Sequence, residues 1–215
     1  MFTKIFPKIH TEGYKFIVIA AFITIILLIV NNFLGLIGLL LTIWVYYFFR
    51  DPDRIIIEDD TFLVSPADGE IIKVEDVDGP KELNLENKRF KKISIFMNVF
   101  DCHVNRTPCK GQIEEILYKP GKFLNASFDK ASEENERNYY KIKDVHGNDI
   151  IVVQIAGLIA RRIVCESNKN QNLAQGERIG MIRFGSRADV YYENYHPLVK
   201  IGQRSISGET ILAKK

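Results

Sequence analysis

The chain has 215 residues, enough for one mid-sized domain and a short appendage, with 47% apolar and 26% charged residues. Its formal net charge is +2 and its basic residues are scattered among acids, so there is no basic arm to suit a nucleic-acid partner. Three cysteines, Cys102, Cys109 and Cys165, make neither a closed disulfide framework nor a zinc-ligand spacing, so a reducing setting and no metal are expected.

From residue 16 to residue 49 the chain is almost wholly apolar, broken at Asn31-Asn32 and loosened at Gly35 and Gly38. A single helix of that length would run about 50 Å, too long for a hydrocarbon core of about 30 Å. The asparagine pair predicts a membrane-embedded helical hairpin, 16–30 and 33–49, within an anchor covering 1–49. It either spans a thinned bilayer or dips into one leaflet. The stretch is too long for a removable signal peptide, and Tyr46-Tyr47-Phe48-Phe49-Arg50-Asp51-Pro52 offers no small-residue cleavage site. Lys4, Lys8 and Lys15 precede the block, and Arg50 and Arg54 follow it. Positive charge at both ends puts both on the cytoplasmic face of the cell membrane.

Past Asp51-Pro52-Asp53 the pattern changes to short β-branched or alternating runs separated by Gly, Pro and Asn. Such runs at 70–74, 92–97, 111–118, 139–145, 149–155, 187–192 and 198–201 predict a mainly β domain over 50–215. The expected architecture is a compact hybrid between a β sandwich and a barrel. A helical piece is expected near 172–175, and residues 207–213 are expected to close the sheet. The polar stretch 120–138 reads as a long loop, and loops of that length in compact domains are often functional.

The segment that carries chemistry is Ile179-Gly180-Met181-Ile182-Arg183-Phe184-Gly185-Ser186-Arg187-Ala188-Asp189. Gly-Ser alone also describes a tight turn between strands. Glycine, however, accepts strained backbone angles and leaves its carbonyl open to attack. The Ser186 hydroxyl lies one residue C-terminal to that carbonyl, placed for an N-to-O acyl shift. β-Elimination of the ester gives dehydroalanine, which tautomerises and hydrolyses to a pyruvoyl group with loss of ammonia.

The run 180–191 is similar to the processing segment of the short, membrane-associated class of phosphatidylserine decarboxylases. Four other stretches resemble the same family in the same order: Phe48-Phe49-Arg50-Asp51-Pro52, Ser65-Pro66-Ala67-Asp68-Gly69, Asp101-Cys102-His103-Val104-Asn105-Arg106-Thr107-Pro108, and Ile155-Ala156-Gly157-Leu158-Ile159-Ala160-Arg161-Arg162-Ile163-Val164. The loop Gly121-Lys122-Phe123-Leu124-Asn125-Ala126-Ser127, with Asn135-Glu136-Arg137, also matches. Together they cover nearly the whole chain after the apolar block.

The resemblance implies decarboxylation of phosphatidylserine to phosphatidylethanolamine and carbon dioxide, through a Schiff base with a pyruvoyl group on Ser186. It implies self-cleavage between Gly185 and Ser186 into a large chain, 1–185, and a small chain, 186–215. These form a heterodimer, open to higher assembly, whose partner is a phospholipid membrane. His103 is the expected acid that protonates the former carboxyl-bearing carbon, since imidazole exchanges protons near neutrality. Asp68 is expected to orient a histidine during self-cleavage, in triad fashion. Arg161 and Arg162 are expected to meet the anionic headgroup, with Asn125 and Arg137 as further substrate-binding residues and Lys130 and Arg187 as alternatives.

One departure limits the carry-over. The long class of the family has two histidines three residues apart in this region, and here Arg106 stands at the second place. Either His103 serves both steps, or cleavage depends more on backbone strain and water. Two other readings stay open: a pyruvoyl-dependent decarboxylase of a soluble amino acid, and a non-enzymatic membrane-tethered β domain.

Overall fold

The computed structural model describes residues 7–124, 134–157, 162–183 and 186–215. Contacts divide the chain into two compact units, Met1–Asp53 and Arg54–Lys215.

The first unit is a helical hairpin of α1, Gly13–Val30, and α2, Asn32–Phe48. Asn31 is extended between them, and its side chain accepts from Phe33 N–H at 2.8 Å and Leu34 N–H at 3.4 Å, capping α2. The helices approach through small residues: a Cβ on Gly35 would lie 2.2 Å from Leu28 Cδ2, and Thr24 and Thr42 share a 2.9 Å hydroxyl contact at the same interface. Ile25, Ile29, Phe33 and Leu40 point outward, so the hairpin's apolar surface is left open. α1, with a mean hydropathy of 2.5, is long and apolar enough to cross a bilayer, and α2 is a shorter apolar helix. This composition fits association with a membrane.

The second unit is mainly β, as expected. Its strands are β1 (Phe62–Val64), β2 (Gly69–Asp78), β3 (Arg89–Met97), β4 (Val104–Arg106), β5 (Gly111–Lys119), β6 (Arg137–Asp144) and β7 (Asp149–Ala156). There follow β8 (Ile163–Cys165), β9 (Asn172–Leu173), β10 (Arg178–Ile182), β11 (Ser186–Tyr192), β12 (His196–Pro197), β13 (Arg204–Ser205) and β14 (Ile211–Lys214). A curled eight-stranded sheet runs β13-β2-β3-β11-β7-β6-β5-β9. Two three-stranded sheets, β1-β14-β12 and β4-β10-β8, complete the fold among the described residues.

Alternation along the central strands sends residues to two different surroundings. Met97, Ala156, Ala188, Val190 and Tyr192 enter the main core on one face. Ile151, Val153, Ile155 and Tyr139 belong to a second cluster on the other, with Phe90 and Leu83. The β2 strand approaches β3 so closely at Gly69 that a Cβ there would sit 2.2 Å from Phe96 O, and its φ of +155° suits glycine.

Three local expectations are corrected. Residues 198–201 form no strand, and the short strand there is His196–Pro197. Residues 172–175 form no helix: Asn172–Leu173 is an edge strand paired with Gly111 and Gln112, followed by a turn at Gly176. The last strand, Ile211–Lys214, joins β1 and β12 in a small sheet instead of closing the large one.

Candidate active site

Ser186 is the first residue of β11, held between β3 and β7 with Met97 and Ala156 as its register partners. It is fully buried, and its hydroxyl donates to the Met97 thioether sulfur at 3.7 Å. Sulfur is a weak acceptor, so this contact orients the hydroxyl without activating it as a strong base would. Gly185 lies outside the described residues.

His103 immediately precedes β4. It is fully buried, and its ring Nδ1 lies 2.9 Å from Asp101 O. A carbonyl can only accept, so Nδ1 carries the hydrogen and Nε2 is the nitrogen that can take or give a proton. The Asp101 carboxylate is itself buried, accepting from Asn98 N–H at 2.8 Å and paired with Arg204. His103 O accepts from Ile182 N–H at 3.2 Å, which ties the histidine's main chain to the end of β10, four residues before Ser186.

Asp68 occupies the turn between β1 and β2, and its partners differ from those expected. Arg54 donates to both carboxylate oxygens at 2.9 and 2.7 Å, and Ser207 N–H donates at 2.8 Å. Those are the hydrogen bonds of Asp68 among the described residues, so the carboxylate meets a guanidinium where the triad analogy calls for an imidazole. Burial pulls the Arg54 guanidinium down, but the Asp68 charge and hydrogen bond outweigh it and hold it above its ordinary value. The turn docks onto β4 next to His103: Pro66 O accepts from Arg106 N–H at 3.0 Å and from the Asn105 side chain at 3.3 Å.

A buried serine thus opens a central strand, and a buried histidine is bonded to the end of the strand that precedes it in the chain. The profile of the phosphatidylserine decarboxylase family matches residues 41–213. A protein of Pelagibacter ubique named phosphatidylserine decarboxylase proenzyme is 74% identical over 215 residues, covering all of both chains. Proteins of the same name from Ruegeria pomeroyi and Cereibacter sphaeroides are 53% identical over 205 residues and 51% identical over 214 residues. They cover 95% and 99% of this chain, and 94% and 92% of their own. The chain belongs to the phosphatidylserine decarboxylase family.

As a member of that enzyme family, the chain places its other expected site residues unevenly. Arg162 is exposed, with its carbonyl accepting from Arg183 N–H at 3.1 Å, so it stands beside the segment leading to Ser186. Arg161 and Asn125 lie outside the described residues. Arg137 is buried, 3.2 Å from Glu82, and shares a cross-strand row with Ile155 and Arg187. That row faces away from Ser186, so the structure does not bring Arg137 together with the serine. Arg187, the alternative, is likewise taken up on that far face by Asp189 at 2.6 and 2.7 Å.

Several residues of the site were given no role from the sequence. The Asn135 side chain donates to Ala156 O at 2.7 Å and Leu124 O at 2.8 Å, fastening the rim of the 120–138 segment to the strand beside Ser186. Glu136 accepts from Ile163 N–H at 3.0 Å. Asn105 and Gln154 are fully buried and hydrogen-bonded to each other at 2.9 Å. Gln154 carries a legible signal, a lone amide inside the apolar run Ile150-Ile151-Val152-Val153-Gln154-Ile155.

Proposed function

We propose that the chain decarboxylates phosphatidylserine with a pyruvoyl group that it makes by cutting itself between Gly185 and Ser186. Burial of Ser186 at the head of a central strand carries this reading. Seven register pairs hold β11 to each neighbour, so a chain beginning at Ser186 keeps its new end fixed in the sheet after the cut. That end is fully buried against the Met97 thioether, with the Asn105 amide behind the sulfur, so it is kept from water.

In the cut itself, Ser186 Oγ bonds to the Gly185 carbonyl carbon, the peptide C–N bond breaks, and the hydroxyl proton ends on nitrogen. A base then removes the Ser186 α-hydrogen, the Cβ–O bond breaks, and Gly185 leaves as a carboxylate. Water converts the remaining enamine to a ketone and releases ammonia. Once formed, the ketone and its adjoining amide carbonyl act as a sink for the electron pair of the breaking C–C bond. His103 holds at Nε2 the proton that replaces the lost carbon dioxide, steered by the Asp101 carbonyl at Nδ1. Arg162, with Arg161, presents positive charge to the phosphodiester or carboxylate of the headgroup.

The open apolar surface of the hairpin favours a lipid-borne substrate over free serine, with both hairpin ends and the catalytic domain on the cytoplasmic face. The test is Ser186→Ala in the full chain. It should remain one polypeptide without decarboxylase activity, and an uncut yet active variant overturns the reading.

A further inference from the structure

The core face beneath Ser186 contains a chain of buried polar side chains in surroundings that are otherwise apolar. The single hydrogen of Tyr140 Oη is shared between Ile179 O at 2.8 Å and Gln154 Oε1 at 3.0 Å, and Gln154 Nε2 donates to Asn105 Oδ1 at 2.9 Å. Asn105 Nδ2 in turn donates to Pro66 O at 3.3 Å and to Met97 Sδ at 3.7 Å. The Ser186 hydroxyl reaches that same sulfur at 3.7 Å. All five side chains are fully buried, and they come from β3, β4, β6, β7 and β11. Burial also pushes the Tyr140 hydroxyl well above its ordinary value, so it stays a donor at any physiological pH.

Amides in a core of this kind cost desolvation that apolar residues of like shape would not. Their order fixes direction. Pro66 O can only accept, so it locks the Asn105 amide with its N–H groups toward Pro66 and Met97 and its Oδ1 toward Gln154, and Met97 is held with a lone pair toward Ser186. We infer that the Gln154–Asn105–Met97 chain is a positioning device for self-cleavage, holding the Ser186 hydroxyl in the rotamer from which it attacks. Met97 touches the reacting oxygen, and Asn105 and Gln154 act through it. The device links the nucleophile to Pro66, two residues before Asp68, giving the Pro-Ala-Asp-Gly turn a route to Ser186 that needs no histidine relay. It rests on the reading that Ser186 cuts its own peptide bond.

The experiment tracks the appearance of the 186–215 chain on denaturing gels after rapid cell-free synthesis of wild type, Met97→Leu and Asn105→Asp. Met97→Leu conserves volume and removes the acceptor, so cleavage should slow about tenfold at an unchanged melting temperature. Asn105→Asp keeps the shape but cannot donate while ionised. Its deficit should shrink as pH is lowered, because the introduced carboxyl regains a hydrogen on protonation. If both variants cut at the wild-type rate, or the Asn105→Asp deficit does not change with pH, the inference fails and the reading of Ser186 survives. Wild type that stays uncut sinks both. Should Asn105→Asp fail to fold, Met97→Leu alone decides.

Discussion

Ser186 and Arg137 lie on opposite faces of one sheet. Ser186 shares its row with Met97 and Ala156, whereas Arg137 shares the adjacent row with Ile155 and Arg187. The Arg137 guanidinium instead serves Glu82 and lies 5.7 Å over the Tyr139 ring. Burial pushes the Glu82 carboxyl up, but its hydrogen bonds and the charges of Arg137 and Lys119 hold it below its ordinary value. Arg137→Gln should therefore lower stability by about 2 kcal/mol, since Lys119 still pairs with Glu82. The KM for phosphatidylserine should stay within about twofold in a vesicle assay. A tenfold rise in KM at unchanged stability contradicts this placement.

His103→Gln keeps an amide that can donate to Asp101 O but supplies no titrating nitrogen. Assayed on the fraction of protein already cut, its kcat should fall by about 10²–10⁴-fold, the usual share of a general acid. A fall of less than about tenfold removes His103 from proton delivery.

Arg54 and Asp68 form a mostly buried pair, with side chains 13% and 11% exposed. Arg54→Ala leaves the carboxylate with only the Ser207 N–H and should destabilise the chain by about 3 kcal/mol in thermal or denaturant melts. The double change Arg54→Met with Asp68→Leu should recover much of that loss, because both charges leave together. An unchanged melt for Arg54→Ala contradicts the pairing.

Asp149 gathers Lys143 at 2.6 Å and Lys88 at 2.8 Å where β7 begins. Burial pushes its carboxyl up, but the hydrogen bonds from Lys143 and Lys88 and the charge of Lys141 outweigh it and hold it below the ordinary 3.8. With the folded value below the unfolded one, the stabilisation is complete above about pH 5 and is lost as pH falls through 4 toward the folded value. The melting temperature should drop over that window, and Asp149→Asn should flatten the drop. An equally steep drop in the variant assigns the acid transition to other groups.

The hairpin was legible because a long apolar run has few destinations and Asn31 both breaks it and caps the second helix. The central strands were legible because alternation survives even where both faces are buried, as along β11. The edge was not. Asn172–Leu173 has turn-like composition, and only its pairing with Gly111 and Gln112 makes it a strand. Partners were the hardest part. Asp68 sits in a motif that invites a histidine, and nothing local says that Arg54 will claim it. The far face occupied by Arg137 depends on register, which a one-residue slip would reverse.

Self-cleavage at Gly185-Ser186 is most directly tested by the intact mass of purified wild-type protein, with and without hydroxylamine. Two polypeptides are expected, one ending at Gly185 and one covering 186–215. The smaller should lack ammonia relative to its sequence and gain an oxime mass on treatment. A single mass matching the uncut 215-residue sequence, indifferent to hydroxylamine, contradicts it.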